Sequence, residues 1–163
     1  MAIRVQPEDF DVTSETKSLV AGNTSIGAVV TFTGLVRDMA GGETISAMTL
    51  EHYPEMTETM LAKIDIQANE RWPLEASLII HRYGRLEPGE QIVLVITASS
   101  HRQAAFEAAE FLMDWLKTKA PFWKQEATTA GEKWVAAKTS DDDATERWSE
   151  TSPASPAKIA AVK

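Results

Sequence analysis

The run Gln91–Ser99, QIVLVITAS, constrains this chain more than any other segment. Its centre, IVLVIT, is apolar or β-branched at every step and has no polar face to offer water. That pattern predicts a central strand covered on both faces. The preceding run, Ala76–Tyr83, also reads as a strand, and Glu87-Pro88-Gly89-Glu90 between the two places proline and glycine as a type II turn requires. Immediately downstream, Ser100-His101-Arg102-Gln103 has the form of a capping box, with Ser100 as N-cap and Gln103 at the third helical position. The helix it opens carries Phe106, Ala109, Leu112, Met113 and Leu116, and it must stop near Lys119 because Pro121 follows.

The remaining elements follow from local pattern. Residues 3–5 alternate weakly as a short strand, and Thr13–Val20 reads as a short helix before the loop Ala21-Gly22-Asn23. Gly27–Val36, GAVVTFTGLV, is rich in β-branched residues and predicts a strand. Asp38–Thr44 contains Gly41-Gly42 without periodicity, which predicts a mobile loop, and Ile45–Tyr53 a second strand. Pro54 suits a first helical position. The helix it opens runs to about Arg71 with a stripe of Met56, Met60, Leu61, Ile64 and Ala68, closed by Pro73. Phe122–Ala127 and Lys133–Ala137 read as a last strand pair, and Ser140–Asp143 as the cap of a short helix ending near Trp148. From Ser149, SETSPASPAKIAAVK has two prolines and few bulky side chains, the composition of a disordered tail. The expected class is therefore α+β, with one domain over residues 1–148 and a tail over 149–163.

The chain has no cysteine. Disulfides, thiolate zinc sites, cysteine nucleophiles and a persulfide relay on this chain are excluded. A formal net charge of −8 argues against a broad nucleic-acid-binding face, yet leaves room for a local anion pocket, because nearby charges set the field there. The start, Met-Ala-Ile-Arg-Val-Gln-Pro, lacks the apolar stretch of a signal peptide, and no run approaches the roughly 18 apolar residues of a membrane span. The expected location is the cytoplasm.

Several residues are candidates for chemistry. His101 and Arg102 fall in the first turn of a helix, where free N–H groups attract anions; a cation there works against the helix dipole, so either it has a ligand or it points into water. Lys117 and Lys119 suit a helix end by themselves, whereas Lys124 follows Phe122-Trp123 in a strand-like stretch where a lysine can line a pocket wall and act as acid or base. Arg37 ends a strand beside a glycine-rich loop. His52 and His81 read as hydrogen-bonded structural histidines, and Glu51 has nothing around it that favours a general base. The three histidines lack metal-ligand spacing, and phosphate-loop, dinucleotide-fold and nucleophile-elbow motifs are missing, so neither metal nor cofactor is expected. From these residues alone the chain is an α+β domain with an anion pocket.

The segments GAVVTFTGLVRD, LEHYPEMTE, RWPLEASLIIHRYGRLEPGE, SSHRQAAFEAAEFLMDWLKTKAPFWKQE and GEKWV, in that order from about Gly27 to Trp148, resemble the MoaE family, the large subunits of molybdopterin synthases. The run LKTKAPFWKQE after the S-x-HR-x-x-A-F helix start is the most specific part. The resemblance implies an α/β hammerhead fold with an additional antiparallel β subdomain, and a homodimer flanked by two copies of a ubiquitin-like small subunit. That partner ends in Gly-Gly, carried as a thiocarboxylate. The implied reaction is the transfer of two sulfurs to cyclic pyranopterin monophosphate, giving the dithiolene of molybdopterin, with no metal or cofactor on the chain. Carried over by position, Lys117 and Lys124 are catalytic. Arg37, His101, Arg102, Lys117, Lys124, Gln125 and Glu126 bind substrate, and Lys138 reaches in from the neighbouring protomer. Leu35 stands where relatives carry a basic residue, so no contact is carried over there. A sulfur-transfer enzyme without a thiol must receive activated sulfur from elsewhere, and a thiocarboxylate partner supplies it. Two other readings compete: a non-catalytic adaptor for a ubiquitin-like tail, and a generic phosphometabolite-binding domain.

Overall fold

A computed structural model of the protein describes residues 2–40, 42–128, 131–135 and 145–148. In chain order the elements are β1 (Ala2–Gln6), α1 (Val12–Val20), β2 (Ala28–Leu35), β3 (Met39–Ala40), β4 (Glu43–His52), α2 (Pro54–Arg71), β5 (Leu74–Arg82), β6 (Gly84–Leu86), β7 (Gln91–Ser99), α3 (Arg102–Thr118), β8 (Phe122–Thr128) and β9 (Gly131–Val135). They build two sheets. The first has the order β1-β5-β7-β2, with β1 and β5 parallel and the other pairs antiparallel. The second has the order β3-β4-β8-β9, and β6 also pairs with β4.

The doubly apolar strand β7 lies inside the first sheet, between β5 and β2. Its alternate residues serve two different cores. Val93 and Val95 face Leu61, Ile64 and Ala68 of α2 and Ala104, Ala108, Phe111, Leu112 and Leu116 of α3. Leu94 and Ile96 face Leu78, Ile80 and Phe10, with Val12 and Leu19 of α1 packed against them. A third cluster, Val36, Met48, Leu50 and Leu86, joins the two sheets. The turn before β7 forms as expected: Glu90 donates its N–H to the Glu87 carbonyl at 3.0 Å, and Gly89 adopts φ 89°, which a side chain would oppose.

Some local expectations give way in the folded chain. The expected loop over Asp38–Thr44 contains a tight hairpin, Met39 opposite Thr44 and Ala40 opposite Glu43. On α2 the buried face is Thr57, Leu61, Ile64, Asp65 and Ala68, whereas Met56 is 55% exposed: the face turned to the core includes polar Thr57 and Asp65, which the apolar stripe left out. On α3 the buried aromatic is Phe111, not Phe106, which is 61% exposed. The final strand is seen over Gly131–Val135, and residues 136–137 of the expected strand lie outside the described residues. The expected cap over Ser140–Asp143, Lys138 and the tail from Ser149 all lie outside the described residues. Residues 145–148 are docked on the helices: Trp148 donates Nε1–H to Asp114 Oδ2 at 2.7 Å, Arg71 donates to the Trp148 carbonyl at 2.8 Å, and the indole meets Trp72 and Phe111 edge-on.

The capping box does not form. His101 is the N-cap of α3, without a side-chain cap bond, and Gln103 donates instead to Glu107 at 2.8 Å. The pairing of β7 with β2 runs as far as Ser99 opposite Ala28, and the Ser100 carbonyl is pressed so near Gly27 that a Cβ there would meet it at 2.3 Å. Ser100 is thus held by the sheet, and the helix starts later. Ser100→Ala is accordingly expected to change stability by less than about 0.5 kcal/mol, the range of uninvolved surface sites, instead of the ~1 kcal/mol of a lost cap, as read from urea denaturation.

Asp65 is fully buried in α2, with Oδ2 accepting from Asn69 at 3.2 Å and Oδ1 without a partner. Burial pushes its carboxyl above the ordinary range, and the nearby Ser77 hydroxyl opposes this. An acid whose folded pKa is raised binds its proton more tightly in the native state. Its contribution therefore favours the fold below the unfolded pKa and is lost as pH rises through the raised value. Asp65→Asn is expected to raise stability at neutral pH by on the order of 1 kcal/mol, with the gain shrinking toward acid. Thermal melts of both chains across pH test this, and a gain that is constant with pH would contradict it.

Candidate active site

Three elements bring the charged residues together. Along β8, alternation sends Phe122, Lys124 and Glu126 to one face, opposite His52, Leu50 and Met48 of β4. The last turns of α3 present Met113, Leu116 and Lys117 at spacings of three and four. At the end of β2 the register slips between Gly34 and Leu35, and the chain leaves the sheet through Val36 and Arg37. Gly34 is required there, since a Cβ would stand 2.7 Å from a Val93 methyl.

Between these elements lies a cleft of about 280 Å³ whose lining includes Arg37, His81, Lys117, Phe122, Lys124 and Glu126. Its floor is apolar, from Ile45, Met48, Leu50, Ile92 and Val93. Lys124 Nζ is 2.5 Å from Glu126 Oε1, an ion pair without the angles of a hydrogen bond. Glu126 is only 3% exposed, so it depends on that ammonium for compensation. Among the described residues the cleft lining carries three cations, Arg37, Lys117 and Lys124, and one carboxylate, Glu126. A chain of net charge −8 therefore holds a locally positive cleft suited to an anion.

His81 is the residue the sequence reading left out of the site. It does have the expected structural bond, with Nδ1 2.8 Å from the Arg82 carbonyl, but it also lines the cleft. Its ring stacks on Phe122 at 3.7 Å and 16°. Burial, with smaller effects from His52 and Lys117, lowers its pKa to about 4. His52, whose ring centroid is 5.7 Å from that of Phe122, is also lowered by burial. Nothing local in the sequence marks His81; only the stacking on Phe122 and the register of β5 on β7 place it there.

The other candidates lie elsewhere. Gln125 projects to the opposite face of β8, in register with Thr49 and Trp134. His101 and Arg102 border a separate depression with Gln103, Phe106 and Glu107 at the start of α3. Fifteen residues of helix, roughly 22 Å, separate Arg102 from Lys117. One chain does not bring these groups together. Among the described residues no group of His, Cys, Asp or Glu is arranged to hold a metal ion, and no helix is long and apolar enough to cross a membrane.

Known proteins match this arrangement over most of its length. The sequence profile of the family described as MoaE protein matches residues 5–119. The molybdopterin synthase catalytic subunit of Pseudomonas aeruginosa is 56% identical over 150 residues, covering 92% of this chain and 100% of its own. The solved molybdopterin biosynthesis MoaE protein from Burkholderia ambifaria superposes with a TM-score of 0.79 at 51% identity, covering 93% of this chain and 100% of that one. The crystal structure of molybdopterin synthase from Staphylococcus aureus does so with a TM-score of 0.76 at 33% identity, covering 82% and 96%.

Proposed function

The chain belongs to the MoaE family, the catalytic subunits of molybdopterin synthase, and from that premise we infer how its cleft performs the sulfur transfer. The observation that carries the reading is the convergence of Arg37, Lys117 and Lys124 on one apolar-floored cleft whose described lining has a single carboxylate. Cyclic pyranopterin monophosphate is anionic, and so is the Gly-Gly thiocarboxylate of the ubiquitin-like small subunit. Arg37 holds the phosphate and the negative charge that develops during transfer. Lys117, at the cleft wall, meets the thiocarboxylate and the acceptor carbon. Lys124, fixed by buried Glu126, orients the precursor and assists proton transfer. Because the chain has no thiol, sulfur enters only on the partner.

For His101 and Arg102 to serve the same cleft, they must come from a second copy of the chain. Strand β2 is an edge of its sheet and exposes Val29, Phe32 and Leu35, and α3 exposes Phe106 beside His101 and Arg102. Such an apolar edge suits a homodimer, flanked by two small subunits. Lys138, on residues outside those described, is assigned to the neighbouring protomer's site on resemblance alone. We take residues 1–148 as the catalytic domain, residues 149–163 as a tail, and the cytoplasm as the location.

Purified chain, thiocarboxylated small subunit and precursor, followed for dithiolene product, test the reading. Tight binding of the small subunit without product would favour the adaptor, and precursor binding without a protein partner the phosphometabolite domain.

A further inference from the structure

Lys117 poses a positional problem. It sits on an exposed helix end, its stem is flexible, and among the described residues no carboxylate pairs with it, since Glu126 is taken by Lys124. A carboxylate partner would fix the ammonium but cancel the charge that attracts the anionic partner tail. A neutral acceptor would fix it and leave the charge intact.

His81 has the chemistry of such an acceptor. A carbonyl oxygen can only accept, so the 2.8 Å contact to Arg82 requires the proton on Nδ1. In a neutral imidazole the lone pair is then on Nε2. Stacking on Phe122 and near-complete burial leave the ring little freedom to flip. We propose that His81 is the positioning residue for Lys117, its unprotonated Nε2 facing the cleft and accepting a hydrogen bond that aims the ammonium at the incoming thiocarboxylate. The proposal rests on the synthase reading for what Lys117 does, whereas the placing of both side chains on one cleft does not depend on it.

The surroundings keep the ring neutral. The titratable and charged groups around it are His52 on β4, Arg82 and Tyr83 next in the chain, Lys117 on α3, Lys124 and Glu126 on β8, and Arg37 beyond β2. Burial is the main cause of its low proton affinity, and Lys117 and His52 add to it, whereas the bond to Arg82 works the other way. A folded pKa of about 4 leaves the imidazole uncharged throughout the neutral range.

Two measurements on the full chain test the contact. Nitrogen-15 NMR of the three histidines should show His81 as the Nδ1–H tautomer, titrating only in acid, with a midpoint that moves upward in Lys117→Met. Asparagine preserves the donor to the Arg82 carbonyl and deletes the cleft acceptor, whereas glutamine preserves the acceptor. With saturating small subunit, His81→Asn should lose about a hundredfold in kcat, the cost of a misplaced group, with KM for the precursor unchanged, while His81→Gln regains most of it. A proton on Nε2, a midpoint indifferent to Lys117→Met, or glutamine no better than asparagine would overturn the proposal. Should both substitutions unfold the chain, the NMR of wild type and Lys117→Met decides by itself. A wild-type chain that makes no dithiolene defeats the synthase reading, and the NMR result stands apart from that.

Discussion

Lys117→Ala and Lys117→Arg are both expected to fold, to bind the small subunit, and to form about a hundredth or less of the wild-type dithiolene product in a single turnover. Two accounts of Lys117 make different forecasts. As a helix-end cation it contributes only the dipole interaction, about 0.3–1 kcal/mol, which arginine supplies equally. On that account alanine is slightly destabilised, fully active, and rescued by arginine. The cleft says otherwise. Lys117 lines it together with Arg37 and Lys124, beside a histidine whose proton affinity it lowers. Arginine keeps the charge there but is bulkier, spreads it over a plane, and practically never gives up a proton. Melting temperature, partner affinity and single-turnover product must come from the same preparations. Near-normal product from Lys117→Arg would reject proton transfer by Lys117 and leave it an electrostatic role.

How legible all this was depended on the range over which each feature is decided. β7 was legible because its reading needs only its own residues, and the two cores that Val93 and Leu94 serve were implicit in a strand without a polar face. The type II turn at Pro88-Gly89 was legible for the same reason. The α2 stripe was misplaced because Thr57 and Asp65 are buried, and only the surrounding core decides that. The capping box failed because β2 holds β7 as far as Ser99. The site lay at the far end of this scale. Lys124 and Glu126 share a face by simple alternation, but their meeting with Lys117 and Arg37 depends on how β8 docks on β4 and on where β2 leaves its sheet. Arg37 and Lys124 were candidates from their local setting, but family resemblance was needed to put them with Lys117 and Glu126 in one site. His81 escaped both routes: a lone histidine in a strand has an ordinary structural explanation, and here that explanation is correct without being complete.

Mixing two inactive chains should restore activity. Arg102→Ala removes a cation from the start of α3, and Lys117→Ala removes one from its end. Each homodimer is expected to make little product. The helix between them is rigid, roughly 22 Å long over fifteen residues, and no arginine side chain spans that distance. The cleft, about 280 Å³, is too small to reach both ends. A substrate touching both residues must therefore lie where α3 of one copy starts beside the cleft of another, and exposed Phe32, Leu35 and Phe106 offer the apolar contact for that approach. In a randomly reassorted equal mixture, half the dimers carry one substitution on each chain. One of the two clefts in such a dimer is then wild type at both positions. Product should rise from near zero to roughly a quarter of the wild-type level, and the other cleft carries both lesions. The experiment requires co-expression or exchange of subunits, with small subunit in excess. A mixture as inactive as its parents would place Arg102 and Lys117 on the same chain's chemistry or deny a shared site. Full activity of Arg102→Ala alone would return Arg102 to solvent, where a cation at a helix start has only the dipole working against it.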